Sequence, residues 1–136
     1  MRMVLQLIIS LALWSTALPV GAQQDVHVFT SERIRLVKDG ERANFEAGDP
    51  YRIVLNLRDS TITIFCPEEQ VKGFLNYQGQ FQIVDLLGSN GNAQYFITAS
   101  DFVIAFEYNM RAVIVRKRGV NVRMNSLWFD QFDYKN

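Results

Sequence analysis

Chemistry in this sequence has to start from very few side chains. Among 136 residues there is one cysteine, Cys66, and one histidine, His27. Cys66 is the obvious nucleophile, yet a thiolate needs a base beside it. The hairpin register derived below turns Cys66 toward an apolar face opposite Ile53, so a buried, inert thiol is expected. A lone histidine does not make a nitrogen–sulfur metal site, and His27 reads as a strand or terminal surface residue. Carboxylates cluster at Glu68-Glu69 and at Asp130 and Asp133. Such pairs suit acid–base or calcium chemistry, but calcium loops alternate oxygen ligands around a glycine turn that neither stretch contains. Helix-start acids and a solvated tail account for them. No catalytic residue, metal ligand or cofactor is assigned from these residues.

Two other groups of side chains are candidates for binding. Arg116-Lys117-Arg118, with Arg111 and Arg123 nearby, is suited to a phosphate-bearing glycolipid or an acidic protein partner. The same run also serves as a charged strand end that discourages edge pairing. Among the aromatics, Tyr95, Phe102 and Phe106 are expected on one apolar face as candidate contacts for a small apolar ligand. Phe65, Phe96, Val103 and Ile114 fall on the opposite face, which then needs a cover: the Trp128–Tyr134 tail, a partner, or the second layer of a sandwich.

The start of the chain bounds where such binding takes place. Met1-Arg2-Met3 supplies a charge, Val4–Trp14 an apolar run, and Pro19 precedes the small-residue stretch Val20-Gly21-Ala22. That order is the pattern of a secretory signal peptide. The run, interrupted by Gln6 and Ser10, is shorter than the roughly 20 apolar residues of a membrane-spanning helix. Cleavage after Ala22 is expected, leaving residues 23–136 as one exported domain, periplasmic or secreted, with no lipid-anchor cysteine at its new start. Lys and Arg number 14 and Asp and Glu 14, so loss of Arg2 leaves the charge close to zero. Export and neutrality both disfavour a nucleic-acid partner. With Cys66 alone, no internal disulfide forms, and the core must hold the domain together.

Beyond the leader, short β-branched and aromatic runs alternate with turn signals, the pattern of an antiparallel meander. Turns also test register, because a two-residue loop dictates which residues face each other. Asp39-Gly40 sets Leu36 opposite Ala43 and Ile34 opposite Phe45, with Arg33 beside Glu46 and Lys38 beside Glu41. Asp59-Ser60 sets Leu57 opposite Ile62, Leu55 opposite Ile64 and Ile53 opposite Cys66. Asn90-Gly91 pairs Leu86 with Tyr95 and Val84 with Ile97. Ser100-Asp101 pairs Ile97 with Ile104 and Tyr95 with Phe106. A turn at Asn109-Met110 pairs Phe106 with Val113 and Ile104 with Val115. Each turn places apolar residues opposite apolar ones, and that mutual consistency argues for the meander. Residues 67–76 read either as a short helix, with Pro67 first and acids in its first turn, or as an irregular strand interrupted by Gly73. The aromatic end from Leu127 to Tyr134 shows no clear period. So many strands in one meander need their edges managed. The expected fold is therefore all-β: an up-and-down meander closing into a small barrel or strongly curled sheet, with a two-sheet β-sandwich as the alternative.

The stretch Ile62–Gln70, with Ile83-Val84-Asp85 and the strands from Tyr95 to Tyr108, resembles the small secreted β-meander proteins of Bacteroidetes described as calycin-like or lipocalin-like. The likeness covers about the last two-thirds of the chain. A lipocalin-type Gly-x-Trp is missing, since Trp14 lies in the leader and Trp128 at the far end. The resemblance implies a curled or closed β fold and carries no functional residue across.

These readings lead to an exported, non-enzymatic binding module for a small apolar molecule or a protein partner. One alternative is an envelope inhibitor or structural component acting through an edge strand or the basic run. A hydrolase or lipid-modifying enzyme built from Tyr, Asp and Arg is the other, although no nucleophile–base pair is readable.

Overall fold

Asp39-Gly40 forms a two-residue turn. Both residues have positive φ, 52° and 82°, the backbone that this dipeptide tolerates best. It joins β1 (Val26–Lys38) to β2 (Glu41–Asn56) in the expected register, with Lys38 opposite Glu41, Leu36 opposite Ala43 and Ile34 opposite Phe45. The computed structural model describes residues 25–135, so the expected leader over residues 1–22 lies outside the described residues. After β2 come β3 (Thr61–Phe65), α1 (Glu69–Phe74), β4 (Gln80–Asn90), β5 (Ala93–Thr98), β6 (Phe102–Glu107), β7 (Ala112–Lys117), β8 (Asn125–Asp130) and β9 (Asp133–Lys135).

All nine strands belong to one antiparallel sheet. From β1 to β8 consecutive strands pair as in a meander, and β1 pairs with β2 on one side and with β8 on the other, so the sheet closes on itself in a ring. β1 makes this closure because it is long. Its second half, Arg33 to Lys38, runs beside β8, while Val28 to Thr30 run beside β9. Between the halves the register with β2 breaks: Ser31 faces Tyr51 and Arg33 faces Glu46. The segment Ala47-Gly48-Asp49-Pro50 is thereby bulged out. Closure is partial, because among the described residues Glu41–Glu46 pair with β1 alone. That edge carries Glu41, Arg42 and Glu46, which discourage further pairing.

The other turns show where the ladder departs from two-residue loops. Tyr108–Arg111 leaves the expected pairs Phe106–Val113 and Ile104–Val115 in place. After β2 the loop is four residues long, Leu57–Ser60, so Leu55 faces Ile62 and Ile53 faces Ile64 rather than Cys66. The cause is local. Asn56 Oδ1 accepts from the Asp59 N–H (3.0 Å), its amide donates to Asp59 (3.1 Å), and the Leu57 N–H is engaged by the Asp25 carbonyl at 2.8 Å. A two-residue shift preserves which face each side chain takes. The β5–β6 turn shifts by one residue and does not. It has three residues, with Asp101 at φ 69° and Thr98 Oγ1 accepting from the Phe102 N–H (3.1 Å). Phe96 therefore faces Ile104, and Tyr95 faces Ala105 instead of Phe106. At Asn90-Gly91 the strand continues through Asn90, which faces Ala93, and irregularities after Ile83 and Leu86 put Leu86 opposite Phe96.

The inward side chains fill the ring. Phe29, Phe81, Phe96, Phe102, Phe106 and Phe129 are all buried among Ile, Leu and Val neighbours. Residues 67–76 hold a helix, α1, rather than a strand. Its Val71 is buried, as is Leu75 just beyond it, and Phe74 lies 6.2 Å from Phe102 ring to ring. The other end is plugged by Phe132, whose ring meets Phe29 edge-on at 5.0 Å. The tail thus closes the interior instead of lying over the outward face. On that outward face Ile97, Val103 and Ala105 are buried too, and the Arg35 guanidinium sits 4.3 Å over Trp128. Among the described residues no helix is long and apolar enough to cross a membrane.

Candidate functional site

Alternation along three strands builds the rim of a groove. Ile34, Leu36 and Lys38 share the inward phase of β1, and Val113, Val115 and Lys117 share that of β7. Phe129, Leu127 and Asn125 do the same on β8, where Asn125 faces Lys38 and Leu127 faces both Leu36 and Val115. Each series starts apolar inside the ring and ends polar where the ring opens. The result is the sequence Lys117, Asn125, Lys38 across three neighbouring strands, whose backbones span roughly 10 Å at the usual strand spacing.

α1 faces this rim, and between them lies a groove of about 630 Å³, within the usual range for a small-molecule site. Leu36, Phe74 and Val120 give it apolar walls, and Gln70, Asn76 and Asn125 add amides. Gly73 completes the wall on the helix side. A glycine is not needed there for backbone reasons, since its φ is not positive. Nor is it needed for packing, as an added Cβ would meet only the Tyr77 hydroxyl at 4.0 Å. Glycine inside a helix costs about 1 kcal/mol relative to alanine. Gly73→Ala should accordingly raise stability by roughly 0.5–1 kcal/mol in urea melts; a loss of stability would mean that Gly73 is needed for packing after all.

The rim is held by its own hydrogen bonds. The Gly40 N–H donates to the Met124 carbonyl at 3.0 Å, and the Asp39 N–H to Asn125 Oδ1 at 3.2 Å. Its charge is one-sided. Among the described residues no carboxylate lines the groove, and neither Lys38 nor Lys117 forms an ion pair, whereas Arg33, Arg35, Arg58, Lys72 and Arg111 do.

The residues singled out from sequence are dispersed. Phe102 and Phe106 are fully buried in the core, and of the two Phe102 lies under the groove, behind Phe74. Tyr95 faces outward, and its hydroxyl donates to Glu107 Oε2 at 2.6 Å. That bond, then burial, raises the phenol above its ordinary value. The three therefore do not share a face, because the three-residue β5–β6 turn changes the phase. The basic run divides as well. Arg116 faces outward opposite Val103, Lys117 faces inward opposite Phe102, and Arg118 lies in the following turn with its N–H on the Asp101 carbonyl at 2.8 Å. Lys38, Asn125 and Gly73 are the groove residues that sequence reasoning passed over. The available signal was an inward series ending in lysine on two strands.

Other clusters are accounted for structurally. Arg35 binds Asp130 through two nitrogens at 2.7 and 3.0 Å, and Arg111 reaches Asp133 at 3.3 Å, so these acids are paired rather than merely solvated. Glu68 accepts from the buried Tyr51 hydroxyl at 2.8 Å, tying the start of α1 to β2. Among the described residues no group of three His, Cys, Asp or Glu side chains is arranged to hold a metal ion. Cys66 is half-buried just past β3, and burial pushes its thiol up to about 11. Alkylation by iodoacetamide should be slow at pH 7 and accelerate as the pH approaches 11; a rate already at its plateau near neutrality would refute the inert-thiol assignment.

His27 is half-buried against Tyr134, with Nδ1 2.8 Å from the hydroxyl and the rings stacked at 5.6 Å. Burial lowers its pKa below 6.5, against the opposing pull of Asp25. A depressed histidine stabilises the fold through its neutral form. That contribution is complete above the unfolded value near 6.5 and is lost as the pH falls through the lower folded value. The stability advantage of the wild type over His27→Gln should therefore shrink between pH 8 and pH 5 in denaturant titrations. A gap that widened on acidification would reverse the assignment.

No family model matches the chain, and neither a curated protein nor a solved structure matches it.

Proposed function

We propose that this chain is an exported, non-enzymatic binding module that holds a small, partly apolar molecule in the groove between α1 and the ends of β1, β7 and β8. The observation that carries this reading is the groove itself: about 630 Å³ of space with apolar walls beside a ring whose interior is filled. Gly73 supports it, since a residue that weakens its helix is used where a side chain would obstruct that space. The leader pattern at residues 1–22 supports a periplasmic or secreted location, and the likeness to calycin-like secreted proteins is in keeping with both.

The test is native mass spectrometry of the protein recovered from the compartment into which its own cell exports it. A stoichiometric small-molecule adduct is expected, and it should be lost in Gly73→Leu, which adds bulk at the groove wall. Spectra free of adduct, together with no saturable uptake of an apolar fluorescent probe, would overturn the proposal. Retention of the adduct by a folded Gly73→Leu variant would move the site elsewhere.

A further inference from the structure

We infer that the groove selects an amphiphile with a single anionic head, a carboxylate on an alkyl chain, held between Lys38 and Lys117. This rests on the groove being a ligand site and goes further by naming what the rim recognises. Three observations converge. The first is charge: both lysines line the groove, no carboxylate does, and neither lysine has an ion-pair partner among the described residues. Two lysines without an ion-pair partner give this rim a positive potential that an anion would offset.

The second is hydrogen-bond direction. Asn125 stands between the lysines, and its Oδ1 is used to accept from the Asp39 N–H. Its Nδ2 hydrogens remain for another acceptor. The rim thus presents ammonium and amide donors, while an ionised carboxylate is acceptor-only, with two oxygens and about four lone-pair sites. A neutral hydroxyl head would use fewer of these donors, and a cationic head would be repelled.

The third is the arrangement of the apolar wall. Leu36 lies two residues inward of Lys38 on the same face of β1, while Phe74 and Val120 line the same space. An alkyl chain leaving the head therefore meets apolar side chains with the head still at the rim. Gly73 leaves room for it beside Phe74.

Decanoate, decanol and decyltrimethylammonium, each kept below its micellar concentration, give matched tails with three heads. The full exported chain should bind decanoate one-to-one by calorimetry, more tightly than decanol, and bind the cation least. Lys38→Gln combined with Lys117→Gln should weaken decanoate by roughly tenfold and leave decanol unchanged; both lysines are exposed, so the thermal midpoint should not move. Added salt should weaken decanoate alone. Equal binding of decanoate and decanol, or indifference of decanoate to the double substitution, would overturn the anionic head and leave the groove reading standing. Failure of all three to bind, with the wild type indistinguishable from Gly73→Leu, would overturn the groove reading and this inference together.

Discussion

Phe29→Ala is expected to remove about 3–5 kcal/mol of stability, the usual range for truncating a buried phenylalanine. Phe29 is fully buried and sits in the half of β1 between β2 and β9. Its ring meets Phe106 at 4.7 Å, Tyr134 at 4.8 Å, Phe132 at 5.0 Å and Tyr108 at 6.2 Å. Removing it leaves a cavity bordered by strands from both ends of the meander, and a closed ring has little freedom to collapse around it. A domain of this size has roughly 5–15 kcal/mol in total, so the variant should lie near the edge of folding at 37 °C. Phe65→Ala is the matched comparison. Phe65 is 47% exposed and its partner is the Arg52 guanidinium, 4.4 Å over the ring, an exposed cation–π contact of about 0.5–1 kcal/mol. Urea melts of the two variants should differ by several-fold in their effect; equal losses would mean that the aromatic cluster does not hold the ring.

Ending the chain at Gln131 should be nearly as damaging, with a loss of about 3 kcal/mol or more. The deleted segment includes Phe132, which is buried and fastened on both sides of its peptide. Its N–H donates to the Arg111 carbonyl and its carbonyl accepts from Arg111 Nε, both at 3.0 Å. The same deletion removes β9, and with it the pairing of Tyr134 beside Phe29. Phe29, Phe106 and Tyr108 would then face water, so the truncated chain should bind more of a hydrophobic dye than the single groove of the intact chain takes up. An unchanged urea midpoint with no additional dye binding would show that the tail only decorates the ring. Phe132→Ala alone, which keeps β9, separates lost burial from lost strand pairing.

Sequence reasoning reached the class of fold because its evidence was periodic and local. Asp39-Gly40 dictates its own turn through two positive φ angles, and the ladder on either side follows without further information. The Asn109-Met110 loop is longer than two residues, yet its pairs are the expected ones, because the loop stays symmetrical about the same centre. At Asp59-Ser60 the pairing is misplaced by two residues and the paired side chains still point the right way, since facing repeats with a period of two. The β5–β6 turn marks where this reasoning stops. A single extra residue, stabilised by Thr98 Oγ1 and the left-handed Asp101, exchanges Tyr95 for Phe96 on the inner face. Local alternation favours the other arrangement, because Ala93, Tyr95 and Ile97 share one face of β5 while Phe96 shares its face with Gln94 and Thr98.

The expected site residues are scattered for the same reason. Tyr95, Phe102 and Phe106 were grouped by a register that a three-residue turn breaks, and Arg116-Lys117-Arg118 is contiguous in sequence but divided by a strand's alternation. The groove residues come from three strands and a helix that lie far apart in the chain, and Lys38, Lys117 and Gly73 are individually ordinary. What this sequence determines by itself is an antiparallel meander with one apolar face, because alternation and turn chemistry are local properties. The closing of β1 onto β8, the plug at Phe132 and the meeting of Lys38, Asn125 and Lys117 at one rim were decided by tertiary structure alone. They depend on long-range pairing and on bulges whose energies are set by the neighbours they meet.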